Sequence, residues 1–376
     1  MKPIYLDYNA TTPIAKEVAD AMKPYLYDYF GNPSSSHAYG MACKQAVEKG
    51  RAQLAALLNC ETSDLIFTSG GTESNNYALK GYALANRSKG NHIITSTIEH
   101  PAVSEVCKYL ETEGFEVTYL PVDATGRVCL ADVEAAIRPE TILISVMYAN
   151  NEVGTLQPIS EICTLAKKHG IVVHSDCAQA VGKVPVDIQD LGVDLLTVAG
   201  HKFYGPKGIG ALYIGKGIKL QKLMHGADHE RNLRAGTENV LEIVGLGRAA
   251  EFCSMNLQAS MAHDKAMVNR LKKALSVLDG IQFNGNPEFK LPNTLSASFK
   301  GIEANAILSN LPQVAASAGA ACHTDSISVS ATLSAMNISQ EYAMGTIRFS
   351  VGKYSNEVEI DEAAKAIVQV VKNLRN

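Results

Sequence analysis

The sequence predicts an α/β protein with a large domain built on a mostly parallel seven-stranded sheet, followed by a smaller α+β domain. Between residues 65 and 213 short apolar runs alternate with amphipathic helical stretches, the pattern of a parallel sheet covered on both faces. The 376 residues are 46% hydrophobic and their mean hydropathy is near zero. The chain is therefore long enough to bury one large core and one smaller core.

Charge and composition argue against several classes of partner. Lys and Arg total 34 against 38 for Asp and Glu, so the net charge of −4 creates no field that would gather nucleic acid or an anionic membrane. The N-terminus lacks the apolar region of a secretion signal, and no run approaches the ~18 apolar residues of a membrane span. The eight cysteines are scattered without metal-ligand spacing. We expect a cytoplasmic protein with no metal site.

In chain order, residues 1–15 lack helical periodicity and are predicted to form an N-terminal arm. A helix is predicted over 39–58, and further helices over 74–86 and 159–169. The strands of the large domain, 16–256, are predicted at 65–68, 92–95, 116–120, 142–147, 171–174, 195–199 and 211–213.

A long helix over 256–278, ended by Gly280, marks the predicted domain junction. The small C-terminal domain, 257–376, should contain strands at 293–299 and 346–351. Its last helix should begin at Asn356, with Glu359 completing a capping box.

Lys202 is the strongest candidate for chemistry, because it directly follows the apolar run 195–199. It lies among the glycines Gly200, Gly205, Gly208 and Gly210. Burial lowers the pKa of a lysine until its neutral amine can attack a carbonyl, so Lys202 is a candidate Schiff-base lysine. Alternatively, residues 205–208 form a hairpin turn and Lys202 simply reaches water beside it.

Other candidates share this position at the end of a predicted strand, where ligands bind in such sheets. Gly71 and Thr72 begin a helix whose N-terminus suits a phosphate, unless Thr72 merely caps that helix. His100 precedes a proline and is either a turn residue or an aromatic plate over a flat ligand. Asp176 either pairs with a cation such as a protonated pyridine or caps the next helix. Asn151 is a turn residue in the simplest interpretation.

Together these segments resemble the cysteine desulfurase family. The matching segments cover the chain in order: 7–13 (DYNATTP), 68–75 (TSGGTESN), 99–100 (EH), 150–154 (NNEVG), 176–179 (DCAQ), 200–202 (GHK), 234–237 (RAGT) and 348–350 (RFS). Members of this family depend on pyridoxal 5'-phosphate (PLP) and have the fold of the aspartate-aminotransferase type. The resemblance therefore implies a PLP-dependent transferase fold.

The resemblance implies a role for each residue around the cofactor ring. Lys202 forms the imine link to the cofactor, and Asp176 pairs with the pyridine nitrogen. Gln179 reaches the ring hydroxyl and His100 stacks on the ring. Asn151 contacts the cofactor and orients the substrate together with Arg348, whose planar fork suits an amino-acid carboxylate. The alternative for Arg348 is an exposed strand arginine.

The phosphate would be held by Gly71, Thr72 and His201. The resemblance further implies a homodimer in which Thr237 reaches the phosphate bound by the partner subunit. One departure is Ala199, which stands where many family members have a phosphate-binding serine.

Cys322 follows the small-residue run 315–321, which predicts an exposed cysteine on a mobile loop. Its position matches the persulfide-forming cysteine of the family. The implied reaction converts L-cysteine to L-alanine and leaves a persulfide, which a sulfur-acceptor or scaffold protein takes on for iron–sulfur cluster assembly or thiolation. Because 320–323 (AACH) also resembles the related selenocysteine lyases, release of selenide from L-selenocysteine is the alternative.

Overall fold

The computed structural model describes residues 3–323 and 326–375, and its strands confirm the predicted alternation. In chain order the strands are β1 Ile4–Tyr5, β2 Leu65–Thr68, β3 His92–Ser96, β4 Glu116–Leu120, β5 Thr141–Ser145, β6 Val172–Asp176, β7 Leu195–Ala199, β8 Gly210–Ile214, β9 Ile281–Asn284, β10 Thr294–Phe299, β11 Val314–Ala315, β12 Ser317–Ala318, β13 Ala320–His323, β14 Ser326–Val329 and β15 Thr346–Ser350.

The helices are α1 Lys16–Met22, α2 Pro24–Tyr27, α3 Ala38–Leu58, α4 Gly71–Asn76, α5 Tyr82–Ala85, α6 Pro101–Thr112, α7 Leu130–Ala136, α8 Ile159–Lys168, α9 Ile188–Leu191, α10 His229–Asn232, α11 Val240–Leu275, α12 Ala304–Ser309, α13 Ala331–Ala335, α14 Gln340–Ala343 and α15 Glu357–Arg375. A π-helical segment, Tyr77–Gly81, joins α4 to α5. Short 3₁₀ turns lie at Thr62–Asp64 and Gly200–Lys202.

The central sheet has seven strands in the order β2-β8-β7-β6-β5-β3-β4. The four neighbouring pairs from β7 to β4 are parallel, and only β8 runs antiparallel to its neighbours β7 and β2. Every residue of β2, β3, β5, β6 and β7 is buried, as expected for a sheet covered on both faces. The predicted strand bounds agree with those observed to within two residues.

The helix α11 differs from its prediction, because it begins at Val240 rather than near residue 256. The additional turns pack closely against α3, since a Cβ built on Gly247 would lie 2.4 Å from the Gly50 Cα. The helix also ends at Leu275, five residues before Gly280. The start of α15 is confirmed, because the Glu359 N–H donates to the Asn356 Oδ1 at 3.0 Å.

Two hydrophobic cores share α11. Its first half, including Leu246 and Cys253, packs in the core beneath the central sheet. Its second half, including Met267 and Leu271, packs with α15 and the sheet β12-β15-β10-β9 in a second core. The boundary predicted between residues 256 and 257 falls between these two parts of one continuous helix, and it stays a prediction.

The N-terminal arm crosses from the second core to the central sheet. Strand β1 pairs with β11 in parallel, and Leu6 is buried in the second core. Asn9 then lies fully buried, and the Thr12 N–H donates to the main-chain oxygen of His201 at 2.9 Å. None of the described helices is both long enough and apolar enough to span a membrane.

Candidate active site

Eight of the predicted site residues line one cavity. They are Gly71, Thr72, His100, Asn151, Asp176, Gln179, His201 and Lys202. They come together because each lies at the end of a strand of the central sheet or in the segment that follows one, and the carboxyl ends of parallel strands meet at one edge.

Lys202 lies on the 3₁₀ turn that follows β7. Its Nζ donates to the main-chain oxygens of Asn9, at 2.7 Å, and Ala10, at 3.0 Å. Burial and the positive charge of Arg348 lower the pKa of Lys202 to about 8, although Asp176 and Asp7 oppose that shift. The interpretation of Lys202 as a surface lysine is therefore wrong, and its amine is suited to attack a carbonyl carbon.

Asp176 is the last residue of β6 and is only 7% exposed. Its Oδ2 accepts from the Asn75 Nδ2 at 2.7 Å, and its Oδ1 accepts from the Ala178 N–H at 2.9 Å. Both donors are neutral groups, so a cationic ring nitrogen in the cavity would provide the charged partner that a buried carboxylate requires.

The phosphate-binding candidate is built around a glycine turn. Gly70 has φ +148°, and α4 begins at Gly71, so the first N–H groups of that helix have no acceptor within it. Thr72 is the second helical residue and makes no cap, which contradicts the interpretation that it merely caps α4. A Cβ on Gly71 would lie 3.4 Å from the Ala199 Cβ, which places the alanine beside this turn.

Two histidines complete the cavity wall. Burial and the charge of Lys202 lower the pKa of His201 to about 4, so the ring offers neutral hydrogen-bonding atoms. Its Nδ1 lies 3.1 Å from the Thr11 Oγ1. The His100 Nδ1 accepts from the Ala102 N–H at 3.1 Å, and burial also lowers its pKa. His100 thus caps α6 and lines the cavity at once, so its two interpretations are compatible.

Arg348 lies beside the cavity without lining it. Its side chain is 12% exposed, so the interpretation as an exposed strand arginine is wrong. The Nη2 donates to the Asp7 Oδ1 at 2.7 Å, and the Nη1 donates to the main-chain oxygen of Asn151 at 3.0 Å. A substrate carboxylate would therefore have to share or replace the contact with Asp7.

Two further predicted residues lie on other segments of the fold. Thr237 is exposed on the loop between α10 and α11. Cys322 lies in β13, which pairs with β14 in a separate two-stranded sheet with Cys322 opposite Ile327. The predicted loop is thus a hairpin, because the β-branched Ile327 and Val329 supply a second strand. The exposure predicted for the Cys322 side chain lies outside the described part of the structure.

Sequence reasoning assigned no role to several residues that contact the predicted site, among them Asn75, Asn9 and Lys183. Asn9 accepts from both Lys202 and Gln179 through its main-chain oxygen. Lys183 donates to the Gln179 Oε1. The only available indication was the position of Asn9 within a matched segment and of Lys183 four residues after Gln179.

The donors and acceptors in the cavity fit PLP: an amine for its aldehyde, a carboxylate for its ring nitrogen, and a helix N-terminus for its phosphate. The fold and the cavity together define a PLP-dependent enzyme.

The chain belongs to the class-V aminotransferase family, whose model matches residues 4–362, and within it to the cysteine desulfurases. The cysteine desulfurase IscS of Methanosarcina thermophila is 46% identical over 377 residues, which cover 100% of this chain and 93% of the relative. That of Dictyoglomus turgidum is 45% identical over 380 residues, covering 100% and 96%.

Solved structures give the same result. A NifS-like protein has a TM-score of 0.93 at 37% identity, with 99% of this chain and 100% of that chain covered. SspA in complex with cysteine has a TM-score of 0.82 at 37% identity, with coverage of 94% and 99%.

Proposed function

We propose that this protein converts L-cysteine to L-alanine and transfers the sulfur to Cys322. The observation that carries the proposal is Lys202, whose amine has a pKa lowered to about 8 and lies in one cavity with Asp176. PLP, when bound, supplies a carbonyl for that amine and a ring that withdraws electrons from the substrate. Asp176 would keep the ring nitrogen protonated, and His100 would lie against the ring.

The phosphate would be bound by the N–H groups of Gly71 and Thr72 at the start of α4 and by the His201 ring, which lines the same cavity. Arg348 and Asn151 would orient the substrate carboxylate, supported by the contact between them. In a homodimer, the exposed Thr237 would be free to reach the phosphate of the partner subunit.

The proposal for Cys322 is supported by the place where its hairpin starts. Strand β12, two residues before β13, pairs with β15 so that Ser317 lies opposite Arg348. The Ser330 N–H donates to the main-chain oxygen of Gly319, which closes the base of the hairpin at 3.3 Å. The cysteine therefore extends from the strand pair that carries the candidate substrate-binding arginine.

In the sulfur transfer, the Cys322 thiolate attacks the substrate sulfur. The carbon–sulfur bond breaks, its electron pair stays with the carbon, and protonation of that carbon gives alanine. A protein that accepts sulfur would then take it from Cys322. This acceptor, the homodimer and the cytoplasmic location are proposals that rest on the resemblance and on the scattered cysteines.

The test is sulfide release in the presence of a reductant, measured for Cys322→Ala and for Cys129→Ala. Cys129 is exposed and lies away from the cavity lining, so its variant is a matched control. We expect Cys322→Ala to keep the visible absorbance of bound PLP and to lose sulfide release. Undiminished release by this variant would remove Cys322 from the mechanism.

Parallel assays with L-selenocysteine test the alternative substrate. Selenium leaves more readily than sulfur, so we expect Cys322→Ala to retain activity on selenocysteine. A wild-type enzyme that turns over selenocysteine but hardly acts on cysteine would reassign the protein as a selenocysteine lyase.

A further inference from the structure

Lys183 is a lysine buried directly behind the cavity, and it is only 7% exposed. Its Nζ donates to the Gln179 Oε1 at 2.5 Å and to the Asn9 Oδ1 at 3.1 Å. Both acceptors are neutral amide oxygens. Lysines are seldom buried this deeply, and this lysine donates to Gln179, which lines the cavity. The contact between Lys183 and Gln179 therefore bears on the site.

The contact with Lys183 fixes the orientation of the Gln179 amide. An ammonium can only donate, so the amide oxygen must face Lys183 and the amide NH₂ must face the opposite way. On that side the Nε2 donates to the main-chain oxygen of Asn9 at 2.8 Å. An amide NH₂ has two hydrogens, and Gln179 lines the cavity. The second N–H is therefore available to a group bound there.

Asn9 holds the same arrangement from the other side. Its main-chain oxygen accepts from both Gln179 and Lys202, while its Oδ1 accepts from Lys183 and from the Asn293 Nδ2 at 3.0 Å. An amide of Gln179 turned by 180° would face Lys183 with donors and the Asn9 oxygen with an acceptor. Two hydrogen bonds would be lost in a buried site.

The charged groups that face Lys183 come from three other elements. They are Lys202 after β7, Arg348 on β15 and Asp264 on α11. Burial, Lys202 and Arg348 hold the pKa of Lys183 well below its ordinary value, and Asp264 opposes them. Burial raises the pKa of Asp264 itself to about 7. A neutral amine keeps two N–H donors, which are enough for the contacts with the Gln179 Oε1 and the Asn9 Oδ1, so both hydrogen bonds can be made in either protonation state of Lys183.

We propose that Lys183 is a positioning residue that locks Gln179 as a hydrogen-bond donor toward the ring oxygen of PLP. This inference rests on the proposed function, because it requires PLP in the cavity with its ring oxygen near Gln179. A donor at that oxygen stabilises the phenolate most when the neighbouring imine nitrogen has lost its proton. The donor therefore lowers the pKa of the imine nitrogen, and with it the pH at which the visible band of the bound cofactor changes.

The experiment is a spectrophotometric pH titration of the PLP-loaded protein. We expect Lys183→Met to move the midpoint of the visible band upward by about one pH unit, the scale of one hydrogen bond to a charged group. Gln179→Leu should move it in the same direction. If Lys183 acts through Gln179, the double variant should move the midpoint no further than Gln179→Leu alone. Lys168→Met, at an exposed lysine on α8, is the matched control and should leave the midpoint unchanged.

The outcomes separate this inference from the proposed function. A wild-type protein without a visible PLP band would reject the proposed function. If PLP binds and the midpoint is the same in wild type and in Lys183→Met, only the role of Lys183 is rejected. The same conclusion follows if the shifts of Lys183→Met and Gln179→Leu add fully in the double variant. If Lys183→Met does not fold, Gln179→Glu gives a second test. Its carboxylate accepts from Lys183 and presents an acceptor to the ring oxygen, so the midpoint should rise, and an unmoved midpoint would overturn the proposal.

Discussion

The rate at which the apoprotein takes up PLP should depend on pH with a midpoint near 8. Only the neutral amine of Lys202 attacks the aldehyde, and burial together with Arg348 lowers the pKa of Lys202 to about 8. At pH 7 this pKa leaves about 9% of the amine neutral, against about 0.03% for an ordinary lysine. The structure therefore predicts an advantage of roughly 300-fold in reactive amine at neutral pH.

Arg348→Met should move this midpoint upward. The substitution removes the positive charge that disfavours the ammonium, and it also releases Asp7, whose carboxylate favours the ammonium. Below the pKa the amine is protonated and unreactive. The rate of PLP uptake at pH 7 should therefore fall, and the plateau of the rate should be reached only at a higher pH. A shift of one pH unit would reduce uptake at pH 7 about tenfold.

The assay is stopped-flow absorbance of PLP binding to apoprotein between pH 6 and 10. Lys207→Met is a suitable control, since Lys207 is an exposed lysine close in sequence to Lys202 that does not line the cavity. The reasoning fails if the wild-type midpoint lies near 10, or if Arg348→Met leaves the midpoint in place or lowers it.

Three further predictions concern other parts of the structure. Asp176→Ala should retain PLP but lose most turnover per bound cofactor, whereas Asp176→Glu should lose less, as measured by sulfide release normalised to absorbance. Ala199→Ser should tighten PLP binding by roughly tenfold in equilibrium titration, because a hydroxyl is added beside the α4 turn. Arg51→Met should lower the free energy of unfolding by about 3–5 kcal/mol in urea titration, because it leaves the Glu230 carboxylate buried without its cation. The double variant with Glu230→Leu should recover part of that loss.

Much of the cavity could be predicted from the sequence, because the residues that carry its chemistry lie at or just after the ends of buried strands. Apolar runs such as 195–199 predict parallel strands, and parallel strands bring Asp176 and Lys202 to one edge whatever the details of the loops. The motif resemblance added the roles of Gln179 and His201, and the structure places both in the cavity.

The contacts of the N-terminal arm could not be predicted in this way. Lys202 donates to main-chain oxygens of Asn9 and Ala10, and a main-chain oxygen has no residue type that a sequence pattern could indicate. The contact between Asp7 and Arg348 joins positions 341 residues apart and depends on the pairing of β1 with β11. The early start of α11 was missed because its packing depends on glycines, which predict helices poorly.

The N-terminal arm connects the second core to Lys202 through contacts of neighbouring residues. Leu6 is fixed in the second core, Asp7 binds Arg348 on β15, and Asn9 accepts from Lys202, all within four residues. A substrate carboxylate that binds Arg348 would compete with Asp7, and Asp7 is one of the groups that raise the pKa of Lys202. Displacement of Asp7 from Arg348 would therefore change the proton affinity of Lys202 whenever its amine is free, which couples the arm to the chemistry in the cavity.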